Sequence, residues 1–181
     1  GGLLSAYQMD GDPRFLALAK ELGDRLLPAF ESATGMPYVR VNLRTGKKSG
    51  QVSNPAEIGS LLLELGTLSR MTGNPAYHEA ARAGMRAVFG RRSEIGLVGT
   101  TIDVETGEWR DPSSHLSGMI DSWYEYLLKG WLLFEDDEFR AEWTQLSAYL
   151  QEHGGIENAV RSCHQRLASG EQPSRDSKTL A

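Results

Sequence analysis

The sequence predicts an all-α protein of stacked helical hairpins, and three observations carry that prediction. A breaker recurs at a fixed interval: Gly11-Asp12-Pro13-Arg14-Phe15, then Gly73-Asn74-Pro75-Ala76-Tyr77, then in degenerate form Glu135-Asp136-Asp137-Glu138-Phe139, with 62 residues separating Gly11 from Gly73 and Gly73 from Glu135. Apolar residues flank each breaker with the 3.6-residue period of an α-helix. Between hairpins a strand-and-turn pattern repeats with an offset of 61 residues, from Val41 to Ile102. A period this long, holding two helices, marks units that bury their apolar faces only by stacking on one another.

Taken in order, Gly1-Gly2-Leu3-Leu4-Ser5-Ala6-Tyr7 opens inside an apolar helical pattern. After the first breaker, Phe15, Leu18, Ala19, Leu22 and Leu26 form one stripe. Asp12 and Asn74 stand where an N-cap accepts orphan N–H bonds, and Pro13 and Pro75 fall at the first helical position, where a missing N–H does no harm. Val41-Asn42-Leu43-Arg44-Thr45-Gly46-Lys47 alternates into Thr-Gly, a short strand and a turn that needs glycine at positive φ. The second unit then offers Ile58, Leu61, Leu62, Leu65 and Leu68 before its breaker, and Tyr77, Ala80, Ala81, Gly84 and Val88 after it. Ile102-Asp103-Val104-Glu105-Thr106-Gly107-Glu108 repeats the strand and turn. The third unit supplies Tyr124, Leu127, Leu128 and Trp131, then Phe139, Trp143, Leu146 and Leu150. The long connections run from the second helix of one unit to the first helix of the next, so they emerge on one rim, where loops of this length carry function or are disordered.

From about Gly154 the stripe weakens, and the polar, breaker-rich run from Ser169 to Lys178 reads as disordered. The expected division is therefore a structured portion at 1–153 and a weakly structured tail at 154–181. The chain opens at Gly1 inside a helical pattern, and about three hairpins without polar capping units leave two open faces. The expectation is a piece of a larger fold.

A net charge of −5 with dispersed Lys and Arg argues against nucleic acid as a partner. No apolar run is long enough for a transmembrane segment. The single cysteine, Cys163, makes no internal disulfide and leaves the compartment open.

Chemistry is expected where the repeat converges polar groups. Glu57 opens the first helix of the second unit and Asp121 the first helix of the third, and equivalent helix starts point at the same rim. Unpaired N–H groups there favour ionised acids. Acids at helix starts are also ordinary caps, so spacing alone leaves both readings open. His78, His115, His153 and His164 show neither i, i+4 pairing nor a nearby cysteine, which argues against zinc. Trp109 and Trp123 read first as core, with a sugar-stacking platform as the alternative. Glu135-Asp136-Asp137-Glu138 reads as a solvated turn.

Several collinear motifs carry a resemblance. Gly1-Gly2-Leu3-Leu4-Ser5-Ala6-Tyr7, Leu22-Gly23-Asp24-Arg25-Leu26-Leu27-Pro28-Ala29-Phe30, Ala56-Glu57-Ile58-Gly59-Ser60-Leu61, Leu68-Ser69-Arg70-Met71-Thr72-Gly73 and Ile120-Asp121-Ser122-Trp123-Tyr124-Glu125-Tyr126-Leu127-Leu128-Lys129 resemble glycoside hydrolase family 47, the class I α-mannosidases, over roughly residues 1–150. The resemblance implies part of an (α/α)7 toroid with short β-hairpins in the connections, inverting hydrolysis of α-1,2-linked mannose from high-mannose oligosaccharides, and bound calcium. It matches Asp121 to a catalytic aspartate, acting as acid or water-orienting group, and Glu57 to a substrate-binding glutamate. The family's proposed acid glutamate lies before Gly1, and its base glutamate and calcium-binding threonine belong to later hairpins. No metal ligand is therefore expected in this chain, and the 181 residues alone are expected to be inactive. Met119 stands where processing mannosidases tend to carry arginine. With Thr106-Gly107-Glu108-Trp109 and Ser114-His115, that is similar to the endoplasmic-reticulum degradation-enhancing mannosidase-like branch and its microbial relatives. The alternatives are a non-catalytic, lectin-like binder of mannose-rich glycoproteins and a helical scaffold without a sugar site.

Overall fold

The computed structural model describes residues 1–93 and 96–152. The boundary drawn at residues 153–154, the tail beyond it, Cys163, His153 and His164 lie outside the described residues. Six helices form three hairpins in chain order: α1 (Gly2–Asp10) with α2 (Pro13–Leu26), α3 (Pro55–Thr72) with α4 (Ala76–Phe89), and α5 (Asp121–Phe134) with α6 (Asp137–Glu152).

Each hairpin turns where the 62-residue period places the breaker. Gly11 (φ 76), Gly73 (φ 71) and Glu135 (φ 59) all adopt the left-handed conformation, and their N–H groups donate to the carbonyls of Tyr7, Ser69 and Trp131 at 2.8 Å in every case. Helix C-termini end this way because the reversed φ directs the next N–H onto an orphan carbonyl. The following helices open under side-chain oxygens in the same register: Asp12 accepts from the Arg14 N–H at 2.9 Å, Asn74 from Ala76 at 3.1 Å and Asp136 from Glu138 at 3.0 Å. The degenerate third breaker thus keeps both functions, with glutamate in the position glycine fills elsewhere. Ser69 adds a lock that the sequence does not announce. Its Oγ donates to the Asn74 carbonyl at 2.7 Å and accepts from the His78 N–H at 2.8 Å, joining the two helices of the second unit.

Helix α3 lies at the centre, against α4 and α5 and more lightly against α2. Ile58, Leu62, Leu65 and Leu68 are buried with Tyr77, Ala81 and Val88 of α4, Trp123 and Leu127 of α5, and Phe139 and Leu146 of α6. Two glycines set the spacing of α5. A Cβ on Gly66 would lie 2.3 Å from the Phe134 ring, and one on Gly130 would lie 2.7 Å from Phe139 and 2.8 Å from Leu62. Helix α2 differs from its expected stripe: Ala19 is buried, but Leu18 is 52% and Leu22 38% exposed. Its close contact runs through small residues instead, since the Gly23 Cβ position lies 2.5 Å from a Leu68 methyl. A face of Ala and Gly approaches a neighbour more closely than a leucine face, and a hydrophobicity pattern underweights it.

The connections carry the expected strands and turns. β1 (Arg40–Val41) pairs with β2 (Lys48–Ser49), and β3 (Val52–Ser53), β4 (Thr101–Asp103) and β5 (Trp109–Asp111) form a three-stranded antiparallel sheet with β4 central. The two turns match atom for atom. Gly46 (φ 71) donates to the Asn42 carbonyl and Gly107 (φ 73) to the Asp103 carbonyl, both at 2.8 Å. Pairing of β3 with β4, in the register Val52 to Asp103 and Ser53 to Ile102, sews successive connections together. Two-residue strands carry no period, so that union is invisible in the sequence.

The acidic run at 135–138 is not the solvated turn expected. Arg82 of α4 bonds Asp136 at 2.5 Å and Glu138 at 2.6 Å, Arg86 adds Glu138 at 2.9 Å, and the Asp136 side chain is only 10% exposed. The run faces α4 because α6 folds back over it. No helix among the described residues is long and apolar enough to cross a membrane.

Candidate functional site

The sheet and the helix starts share one rim, and the chain positions its two singled-out acids there by different means. Ser53 of β3 runs into Asn54, whose side chain accepts the Glu57 N–H at 2.9 Å, while Pro55 occupies the first helical position. Buried Ser53 also donates its hydroxyl to Glu57 Oε2 at 3.2 Å. Glu57 is therefore held at both its backbone and its carboxylate.

Asp121 begins α5 without that apparatus. The preceding residue, Ile120, is buried in the core and offers no capping side chain. Asp121 donates its N–H to the Ser117 carbonyl at 3.1 Å, and its Oδ1 accepts the Ser122 N–H at 2.9 Å. Two residues earlier Met119 has φ 78, a left-handed conformation that a Cβ disfavours, and its side chain is 51% exposed.

One hydrogen bond joins the two starts: the Ala56 N–H donates to the Met119 carbonyl at 2.9 Å. Glu57 and Asp121 thus share a rim, as the repeat implies. Both are exposed, and among the described residues neither belongs to an ion pair.

Behind the rim, Asp103 is 1% exposed at the middle of the sheet. Arg110 of β5 meets it at 2.6 Å, the Gln51 amide at 3.0 Å, and the N–H groups of Glu105 and Thr106 at 2.9 and 3.1 Å. The Arg110 guanidinium first, then Gln51 and the Thr106 N–H, hold the carboxyl of Asp103 well below the usual carboxylate range. Glu105 is lowered too, chiefly by the Tyr38 hydroxyl and then by the Ala33 N–H at 3.0 Å. Thr34 donates to the Val104 carbonyl at 2.5 Å, so the first connection is pinned to the second. Between β5 and α5, Thr100 donates to the Ser113 carbonyl at 2.6 Å and meets His115 Nε2 at 3.2 Å, while His115 Nδ1 meets the Ser117 hydroxyl at 2.9 Å.

The aromatic candidates separate. Trp123 is 1% exposed and lies against the Gly59 backbone, which leaves no face for a sugar. Trp109 is half-buried, donating its indole N–H to the Arg91 carbonyl at 2.9 Å. His78 packs at 4.8 Å from the Phe134 ring, and burial pushes its imidazole down. Among the described residues no three His, Cys, Asp or Glu side chains group so as to hold a metal ion. Sequence reasoning missed Ser53, Gln51, Asp103 and Arg110. The one available signal was that Asp103 replaces Asn42 in the 61-residue echo.

Comparison with known proteins gives the geometry a context. The model of Glycosyl hydrolase family 47 matches residues 1–180. Alpha-mannosidase I MNS5 of Arabidopsis thaliana is 42% identical over 83% of the chain, which covers 28% of that relative. ER degradation-enhancing alpha-mannosidase-like protein 2 of Homo sapiens is 38% identical over 89% of the chain and is covered to 29%. The chain thus spans less than a third of the length of these relatives. Among solved structures, the alpha-1,2-mannosidase from Trichoderma reesei superposes with a TM-score of 0.75 at 32% identity, over 84% of the chain and 36% of that structure.

Proposed function

We propose that this chain, which belongs to glycosyl hydrolase family 47, supplies the Glu57 and Asp121 part of the sugar site of an α-1,2-mannosidase that acts on terminal mannose of high-mannose oligosaccharides. The observation that carries the reading is the Ala56–Met119 hydrogen bond, which ties two helix starts whose carboxylates face solvent without a cationic partner. Printed names of similar proteins, alpha-mannosidase I and mannosyl-oligosaccharide alpha-1,2-mannosidase IA, supply the substrate class.

In this reading Glu57 is a fixed acceptor for a sugar hydroxyl, because Ser53 and Asn54 settle its orientation before substrate arrives. Asp121 keeps one oxygen on the Ser122 N–H and turns the other toward the reacting centre, as an acid or as a group that orients water. Inversion needs a second carboxylate about 6.5–9.5 Å from the first, on the opposite face of the sugar. Resemblance to the family places that partner outside residues 1–181, and the isolated chain is proposed to release no mannose. The described residues do not fit a calcium site, since no set of donors converges among them. Calcium therefore belongs to the proposal for the longest natural form of the protein, and no step is assigned to it here.

The test is the longest natural form of the protein on α-1,2-mannobiose, with and without chelator, following the anomer of released mannose by NMR. Chelator-sensitive release of inverted mannose supports the reading. Glycan binding without turnover overturns it in favour of a lectin.

A further inference from the structure

The 61-residue echo contains its own control experiment. Asn42 and Asp103 occupy the same place in two turns that match in hydrogen bonding. Asn42 Oδ1 accepts the N–H groups of Arg44 and Thr45 at 3.0 Å each, and Asp103 Oδ1 accepts those of Glu105 and Thr106 at 2.9 and 3.1 Å. An amide oxygen is therefore sufficient for the turn. What the carboxylate adds is the bond from its second oxygen to Arg110 at 2.6 Å and the double approach of the Gln51 amide, at 3.0 and 3.2 Å. A buried charge is retained at a cost in desolvation, which paired hydrogen bonds offset.

The added bonds lie between the two segments that deliver the acids. Gln51 leads into β3, and β3 passes through Ser53 straight into the cap of α3 and Glu57. Arg110 belongs to β5, which leads through the His115 segment to α5 and Asp121. Those segments are otherwise joined at the rim by the Ala56–Met119 bond. We infer that Asp103 is a positioning residue, a clamp behind the rim that fixes where Glu57 stands relative to Asp121 by holding β3 and β5 to β4. It touches no substrate and acts through the strands. This rests on the proposed sugar site, since a clamp on those acids affects turnover only if they serve it.

The test uses the longest natural form of the protein with α-1,2-mannobiose. Asp103→Asn keeps the turn acceptor and removes the charge; kcat is expected to fall about tenfold, misplacement of reacting groups being costly. Its thermal midpoint should stay within a few degrees of the wild type, about the shift produced by the turn-only variant Asn42→Ala. Arg110→Gln should reproduce the loss, because it opens the same bond from the other side, and Asn42→Ala should leave kcat unchanged. Full kcat in Asp103→Asn overturns the inference. So does an equal loss in Asn42→Ala, which would reduce Asp103 to a turn residue. Asp121→Asn separates the two layers: if it abolishes turnover while Asp103→Asn does not, the clamp falls and the site stands, and if it leaves turnover intact both fall.

Discussion

Helix α5 carries acidic residues at both ends, and the two ends use them in opposite ways. At its start Asp121 is exposed and, among the described residues, unpaired. Just past its end Asp136 and Glu138 are clasped by Arg82 and Arg86 of α4, and Glu142 is 4% exposed beneath them. Carboxylates that already own a guanidinium hold helices together, whereas carboxylates left facing water can serve a ligand. The family membership adds which ligand that is proposed to be. The comparison also explains why net acidity is uninformative here, since both ends contribute to it alike.

The sharpest way to break the contrast is to neutralise each end in turn. Asp121→Asn is expected to lower turnover of α-1,2-mannobiose by the longest natural form about a thousandfold, within the usual range for a lost general acid or base, with no change in thermal midpoint. Arg82→Ala is expected to do the reverse. It strips Asp136 of its guanidinium in a mostly buried position and should cost about 2 kcal/mol in denaturant unfolding, while kcat holds. If Asp121→Asn destabilises as much as Arg82→Ala, the start of α5 is structural and the contrast fails.

These two ends were unequally legible. The helices, their turns and the rim were readable because a glycine or a capping side chain returns every 62 residues, and a periodic signal survives the degenerate Glu135. Glu57 and Asp121 followed from the same period. The Arg82–Asp136 pair was not readable, because its members stand 54 residues apart and meet only once α4 and α6 have packed. The same holds for Asp103, whose environment depends on pairing between strands two or three residues long. What a single segment's pattern dictates was legible; what two segments decide jointly was not.

Acidity gives the next, smaller effect. Burial, seconded by Glu138, pushes Glu142 up to about 8 from an ordinary value of 4.5, against the opposing pull of Arg92 and Arg82. A carboxyl whose folded pKa is raised contributes stability that is complete below its unfolded pKa and lost as pH rises through the folded value. Thermal midpoints should therefore decline between pH 4.5 and about 8 and level off above. Glu142→Gln, neutral throughout, should flatten that decline and raise the midpoint most at the alkaline end. An unchanged slope in Glu142→Gln would move the titration to another group and leave Asp136 and Glu138 alone in distinguishing this end from the rim.

The smallest effect tests the backbone at the two ends. Met119 (φ 78) before α5 and Glu135 (φ 59) after it are the non-glycine residues with positive φ among those described. At Glu135 the repeat itself shows the relaxed alternative, since Gly11 and Gly73 fill that place in the other hairpins. A left-handed residue with a Cβ carries roughly 1–2 kcal/mol of strain, and glycine gives back roughly half of that gain through the freedom of the unfolded chain. Glu135→Gly and Met119→Gly should each stabilise by about 0.5–1 kcal/mol in denaturant unfolding. Their kinetics should differ. Glu135 lies a full helix away from the rim, so its relief should leave kcat untouched, whereas the Met119 carbonyl receives the Ala56 N–H that joins the two site helices. Freed to wander, residue 119 should loosen that bond, and Met119→Gly should gain stability while losing turnover. Equal kinetics in the two variants would mean that the strain before Asp121 is incidental and that the ends of α5 differ only in their charges.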